Sequence, residues 1–253
     1  MKIFGVVHLK SLPGSPSNNL DLERIIELAQ YDVDNLSKGG VQGIIIENFG
    51  DTPFVKDNIS KRTLASFTKV VENLKIEDSI EVGINVLRND GIAALSIAEA
   101  TNSAFVRINV LNNTMYTDQG IIEGNSHEIM QFKKLLKYKI NIYADVFVKH
   151  AVPPIGSKIE NHTIELLERA GADVVIVTGD GTGKEIDLDD LQKVRNLVPD
   201  GKLAIGSGVN AENISLYKNL ADILIVGTSF KEGNNVNNKV DINKVKDLVK
   251  LSK

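Results

Sequence analysis

The fold class this sequence predicts is a single (β/α)8 barrel over residues 1–253, and three observations predict it. Eight short apolar runs rich in Val and Ile alternate with amphipathic stretches along the 253 residues. The runs are continuous rather than alternating, as expected of parallel strands covered on both faces. The segments leading into the runs are short, whereas those leaving them are long and rich in Gly, Pro, Asn and Asp, and a barrel of roughly 250 residues carries its working loops at that C-terminal end.

The first strand is expected at Ile3–His8, because His8 and Lys10 interrupt the apolar N-terminus and no small-residue cleavage site follows, so it does not read as a signal peptide. The following strands are expected near Gly43–Glu47, Val82–Leu87, Phe105–Val110, Ile142–Val148, Val174–Thr178, Leu203–Gly206 and Ile223–Gly227. Between them, Leu22–Leu36 sets Ile25, Ile26, Ala29, Val33 and Leu36 on one helical side, and further helical stretches are Ala93–Ala100, Met130–Leu136, Leu166–Ala170 and Val245–Leu251. Asp90, Ser126, Asn210 and Asp241 mark helix starts, since their side chains accept bonds from first-turn N–H groups. Gly39-Gly40 and Gly171 fall where helices should stop. An open doubly wound sheet is disfavoured, because the turn after the first run lacks a G-x-G-x-x-G spacing.

Composition narrows the function classes. There are 29 Lys+Arg against 33 Asp+Glu, a net charge of −4, which argues against a nucleic-acid surface. No apolar run approaches the ~20 residues of a membrane-spanning helix. The absence of Cys excludes disulfides, thiolate metal sites and cysteine nucleophiles. A cytoplasmic protein is expected. Homo-oligomerisation stays open.

Two constellations carry chemistry. Gly206-Ser207-Gly208-Val209 and Gly227-Thr228-Ser229 end the last two strands. Paired glycine turns here let backbone N–H groups approach an anion, so Gly206, Ser207, Gly208, Gly227, Thr228 and Ser229 are expected to hold a phosphate. The plain alternative is two ordinary tight turns. The second constellation is polar residues inside apolar strands: Glu47, Asn85, Arg107, Asn109 and Asp145, with Lys149 just beyond. A buried charge needs a partner, so Arg107 should pair with Asp145 or Glu47. Glu47 or Asp145 is the expected general base, Lys149 or Arg107 the group that neutralises a developing oxyanion, and His8 a proton carrier. Asn48, Asn85, Asn109, Thr178 and Gly179 are expected to contact substrate. Glu47, Asp145 and His8 offer ligands of the kind Mg²⁺ accepts, but no ligand spacing supports a metal, and no cofactor is expected. The segment 179–184 resembles a phosphate loop but has Thr178 and Glu185 where the Walker pattern needs Gly and Ser/Thr, so it reads as a Gly-rich lid or ligand-contacting turn.

Several uncommon strings resemble the BtpA/SgcQ family. They include Gly5-Val6-Val7-His8-Leu9, Glu47-Asn48-Phe49-Gly50-Asp51-Thr52-Pro53-Phe54, Arg107-Ile108-Asn109-Val110 and Ala144-Asp145-Val146-Phe147-Val148-Lys149-His150, and the pattern continues through Gly227-Thr228-Ser229-Phe230-Lys231. The loop at Asn112-Asn113 is less Gly-rich than the family pattern. The resemblance implies a barrel of the ribulose-phosphate-binding type. For function it implies either of two classes. One is an enzyme acting on a small phosphorylated metabolite, sugar-phosphate or nucleotide-like; the other is a non-catalytic assembly factor of the kind linked to photosystem I in photosynthetic hosts. The polar strand ends favour the enzyme, because a scaffold gains nothing from charge inside a barrel mouth.

Overall fold

In the computed structural model, which describes residues 1–179, 181–183 and 185–252, the eight apolar runs close into a parallel barrel. Its strands are β1 (Lys2–His8), β2 (Gly43–Glu47), β3 (Glu81–Asn85), β4 (Phe105–Ile108), β7 (Asn141–Val146), β9 (Val174–Val177), β10 (Leu203–Ile205) and β11 (Ile223–Val226), in the closed order β1-β11-β10-β9-β7-β4-β3-β2. Each expected strand is present, several ending one or two residues early because the chain leaves the ladder to enter its mouth loop.

The helices are α1 (Leu22–Gly39), α2 (Lys61–Asn73), α3 (Gly91–Ala100), α4 (Ser126–Lys133), α5 (Ile159–Glu168), α6 (Leu188–Arg195) and α7 (Ile242–Leu251). Side-chain caps start five of them: Asp21, Ser60, Asp90, Asp187 and Asp241 each accept from a first-turn backbone N–H. Gly40 closes α1 at φ 91°, in the left-handed conformation that glycine adopts without a Cβ clash. Two expected starts differ. The residue preceding α4 is Asn125 rather than Ser126, and it makes no side-chain cap bond. The segment after Asn210 forms only a 3-10 turn, Ile214–Tyr217, although the Asn210 carboxamide accepts from the N–H groups of Glu212 and Asn213 as a helix-starting residue does.

Two of the long mouth loops hold more order than their sequence suggests. β5 (Thr114–Thr117), β6 (Gly120–Glu123) and β8 (Ala151–Val152) form a small antiparallel sheet in the order β6-β5-β8. Met115 and Ile122 on its inner face pack with Val110 and Val148, while Tyr116 lies in register between Ile121 and Val152 on the outer face. The sheet therefore roofs the β4–β7 side of the mouth.

Inside the barrel, Phe4, Phe105 and Tyr143 form an aromatic plug, with the rings of Phe105 and Tyr143 4.2 Å apart and Phe4 5.5 Å from Phe105. Val6, Ile45, Ile176 and Ile225 fill the space around it. Continuing each strand by the two-residue period places the next inward side chains above this plug. There His8, Glu47, Asn85 and Arg107 are successive register partners across β1, β2, β3 and β4. Apolar packing ends where the polar layer begins. Among the described residues, no helix is long and apolar enough to cross a membrane.

Candidate active site at the C-terminal mouth

Arg107 leaves β4 pointing into the mouth and is held by two hydrogen bonds to Asp145 on β7, Nε to Oδ2 at 2.9 Å and Nη2 to Oδ1 at 2.7 Å. Both side chains are almost wholly buried. The fork geometry fixes the guanidinium plane, and the pair is the one that burial of an arginine demands. Asn109 donates to Asp145 Oδ2 at 3.2 Å, and Asn85 donates to both Asn109 Oδ1 and the Arg107 carbonyl at 3.0 Å. Asp145 is thereby saturated. It positions Arg107 and has little freedom to act as a base.

One pocket lies on the other side of Arg107. Its lining brings together His8, Glu47, Arg107, Lys149 and the two glycine turns, Gly206–Val209 and Gly227–Ser229. Glu47 is 3% exposed, yet its carboxylate accepts no hydrogen bond among the described residues. The Lys149 ammonium likewise has no hydrogen-bond or ion-pair partner among the described residues. Burial depresses its pKa, Arg107 and Arg88 press in the same direction, and Glu47 and Asp145 oppose them. Burial, with Lys231 and Lys149 adding their charge, also holds His8 well below the usual histidine range, so its imidazole is neutral near pH 7. His8 Nδ1 is buried with no hydrogen-bond partner, and the ring meets Phe49 edge-on at 4.8 Å.

The two turns leave several backbone N–H groups unmet: among the described residues, no acceptor takes those of Gly208, Val209, Thr228 or Ser229. Gly208 sits at φ +74°. Gly206 has no room for a side chain, because a Cβ there would lie 3.2 Å from Arg107 Nη2 and 2.6 Å from Ile176 Cγ2. A Cβ on Gly227 would meet His8 Cε1 at 3.0 Å, so a larger residue there presses on the imidazole rather than only on the anion's place. The Ser229 hydroxyl donates to the Val209 carbonyl and ties the two turns together, which removes it as a free donor. Ser207 Oγ accepts from the Gly179 N–H at 2.8 Å.

Some expected contacts lie elsewhere. Asn48 does not line this pocket. Its carboxamide accepts from the Leu87 N–H at 2.7 Å and donates to Asp51 at 2.9 Å, bracing the loops after β2 and β3. Asn85, Asn109 and Asp145 stand behind Arg107 rather than in the cavity. Thr178 and Gly179 border a second cavity between β7, β9 and α5, and Thr178 Oγ1 accepts from the Lys149 N–H at 2.9 Å. Among the described residues no group of three or more His, Cys, Asp or Glu is placed to hold a metal ion. Within the Gly-rich segment after β9, Asp180 and Lys184 lie outside the described residues, while Thr182 and Gly183 line the pocket and the Thr182 N–H donates to His150 Nε2 at 3.1 Å.

Arg88, which the sequence did not single out, is 5% exposed and donates to the Lys149 carbonyl at 2.7 Å. It fixes the backbone that carries Lys149. No periodicity marks it, since it follows β3 in irregular chain. Lys231 forms a buried ion pair with Asp32 of α1, and only its place in a long family string drew attention to it.

A family model described as the BtpA family matches residues 1–253. The chain belongs to the BtpA family. An uncharacterized protein of Methanocaldococcus jannaschii is 42% identical over 250 residues, covering 99% of this chain and 94% of that one. The photosystem I biogenesis protein BtpA of Synechocystis sp. is 39% identical over 239 residues, covering 94% and 83%. Among solved structures, phosphoribosyl anthranilate isomerase from Thermus thermophilus superposes with a TM-score of 0.59 at 12% identity, covering 99% of this chain and all of that one. At that identity the likeness shows the shared barrel fold alone.

Proposed function

We propose that this BtpA-family barrel is an enzyme acting on a small phosphorylated metabolite, by proton transfer next to a carbonyl or a related lyase or transferase step. The observation that carries the reading is one pocket holding unpartnered backbone N–H groups beside an unpaired lysine and an unbonded carboxylate. Aligned N–H donors suit a phosphate dianion. With the anion on the turns after β10 and β11, the rest of a small substrate lies over Glu47, Arg107 and Lys149. Glu47 is the candidate general base, because Asp145 is engaged through both oxygens. Lys149 and the rigid Arg107 guanidinium are placed to stabilise negative charge on a carbonyl oxygen. Neutral His8 serves as a proton carrier between substrate and solvent.

The test is calorimetric titration of inorganic phosphate and ribose 5-phosphate into the wild type and Lys149→Met. Saturable binding in the wild type, weakened in the variant, is expected. Equal heats of dilution for both folded proteins would mean that the turns are only turns.

The name of the Synechocystis relative supports a second reading, a barrel that assists assembly of a larger complex. On that reading a Glu47→Gln, Lys149→Met double variant, expressed in place of the wild type, restores every phenotype of a deletion strain. On the enzyme reading it restores none.

A further inference from the structure

Lys149 is an odd residue for its surroundings. A lysine kept only to attract a phosphate gains from staying charged, and the usual device is a nearby carboxylate. Here the carboxylate four residues earlier, Asp145, is taken by Arg107 through both oxygens. Arg88 holds the Lys149 carbonyl, and the Thr178 hydroxyl holds its N–H, so the backbone is clamped on both sides while the amine is left without a partner among the described residues. Glu47, the one unbonded carboxylate of the pocket, lines the same cavity beyond ion-pair distance. A clamped backbone, a free amine, a proton acceptor and an adjoining anion site are the parts needed to capture a carbonyl group covalently.

We infer that Lys149 is a nucleophile that forms an iminium with the carbonyl of a phosphorylated aldehyde or ketone held by the Gly206–Val209 and Gly227–Ser229 turns, with Glu47 carrying the protons. The inference rests on the phosphate-site reading above. The ammonium first gives a proton to Glu47 through a bridging water, which relays each later transfer between the two groups as well. The free amine attacks the carbonyl carbon, a C–N bond forms, and the carbonyl π pair moves to oxygen, which takes that proton back from Glu47. The nitrogen then gives its second proton to Glu47, which delivers it to the hydroxyl. The C–O bond breaks, water leaves, and the nitrogen pair closes the C=N bond. One carbonyl and one ammonium become one iminium and one water, with no change of oxidation state. Loss of Lys149's proton is favoured by its burial and by Arg107 and Arg88. The iminium is an electron sink, so the substrate class is one whose bond to the carbon next to the carbonyl is made, broken or deprotonated.

The experiment treats the full chain with glyceraldehyde 3-phosphate and cyanoborohydride, then maps reduced adducts by peptide mass. Lys149 is expected to be labelled at least tenfold faster than the exposed Lys38, to be protected by excess inorganic phosphate, and to react slowly with unphosphorylated glyceraldehyde. Labelling is expected to slow at least tenfold in Glu47→Gln, with phosphate affinity by calorimetry within twofold. Calorimetric phosphate binding with Lys149 labelled no faster than Lys38 overturns the nucleophile and leaves the phosphate site standing. Fast labelling of Lys149 by both aldehydes, unprotected by phosphate, overturns the phosphate reading and keeps the nucleophile. Neither binding nor fast labelling overturns both.

Discussion

The two sides of the barrel mouth treat polar atoms in opposite ways. On the β3–β4–β7 side, Asn85, Arg107, Asn109 and Asp145 bond to one another, with Asn85 Oδ1 the one atom of the four side chains buried without a partner among the described residues. On the β1–β2–β10–β11 side, Glu47, His8 Nδ1 and four backbone N–H groups have no partner among the described residues. Lys149, at the end of β7, stands between them. An unmet polar group in a closed site has a cost that folding alone does not return, whereas a satisfied network contributes to stability. The closed side therefore holds the architecture, and the open side is where a ligand completes the bonding.

That contrast makes unequal demands on substitutions. The largest effect is expected at Asp145. Asp145→Ala leaves the Arg107 guanidinium buried without its counter-ion and should lower unfolding free energy by about 3–5 kcal/mol in urea denaturation. Glu47→Gln, on the open side and equally buried, removes a charge that has no partner to lose and should leave it unchanged or raised. Equal losses at the two sites would erase the distinction.

Next comes Lys149→Met, which should weaken phosphate binding by roughly ten- to a hundredfold, the worth of a hydrogen bond to a charged group. It should leave thermal stability unchanged or raised, because an unpaired buried cation is replaced by an apolar chain.

A pH effect follows. The His8 pKa is lower in the folded than in the unfolded chain, so at acid pH the unfolded state binds the extra proton. Stability should thus fall as pH drops below about 6.5, by at most ~1.4 kcal/mol per pH unit from this residue. The slope of unfolding free energy between pH 6.5 and 5 should be shallower in His8→Gln than in the wild type. Parallel slopes would mean that His8 is protonated in the folded protein. The smallest effect is expected at Ser229→Ala, which removes the tie between the two turns and should lower stability by about 1 kcal/mol while loosening phosphate affinity only slightly.

Much of the closed side was legible in the sequence. A charge inside an apolar strand must find a partner, so Arg107 pointed to Asp145 or Glu47 before any geometry was known, and the glycine turns pointed to one another. What periodicity cannot carry is the choice between partners, or which oxygen atoms a network consumes. Asn48 looked like a site residue because it follows Glu47, yet the loop turns immediately and directs it to Leu87 and Asp51. Arg88 gave no signal, since its role is to hold a carbonyl sixty-one residues away. The roof of β5, β6 and β8 was hidden for another reason. Its strands are two to four residues long, too short for an alternating pattern to rise above the turns joining them.

The missing side chains at Gly83 and Gly206 have a hereditary consequence. A Cβ on Gly83 would sit 2.2 Å from the Phe105 ring, and one on Gly206 would sit 3.2 Å from the Arg107 guanidinium. Gly83 is thus the empty half of a two-position lock whose other half is Phe105 on β4, while Gly206 is hemmed in by Ile176 and Thr178 as well as by Arg107. Neither position is free to mutate by itself. In a lineage that shrinks Phe105, a methyl at 83 becomes admissible, and one that loses Arg107 releases 206 from one of its neighbours. Drift in this barrel is therefore expected to proceed by paired exchanges, with β4 setting what position 83 on the adjoining β3 and, in part, position 206 beyond β10 are allowed to carry.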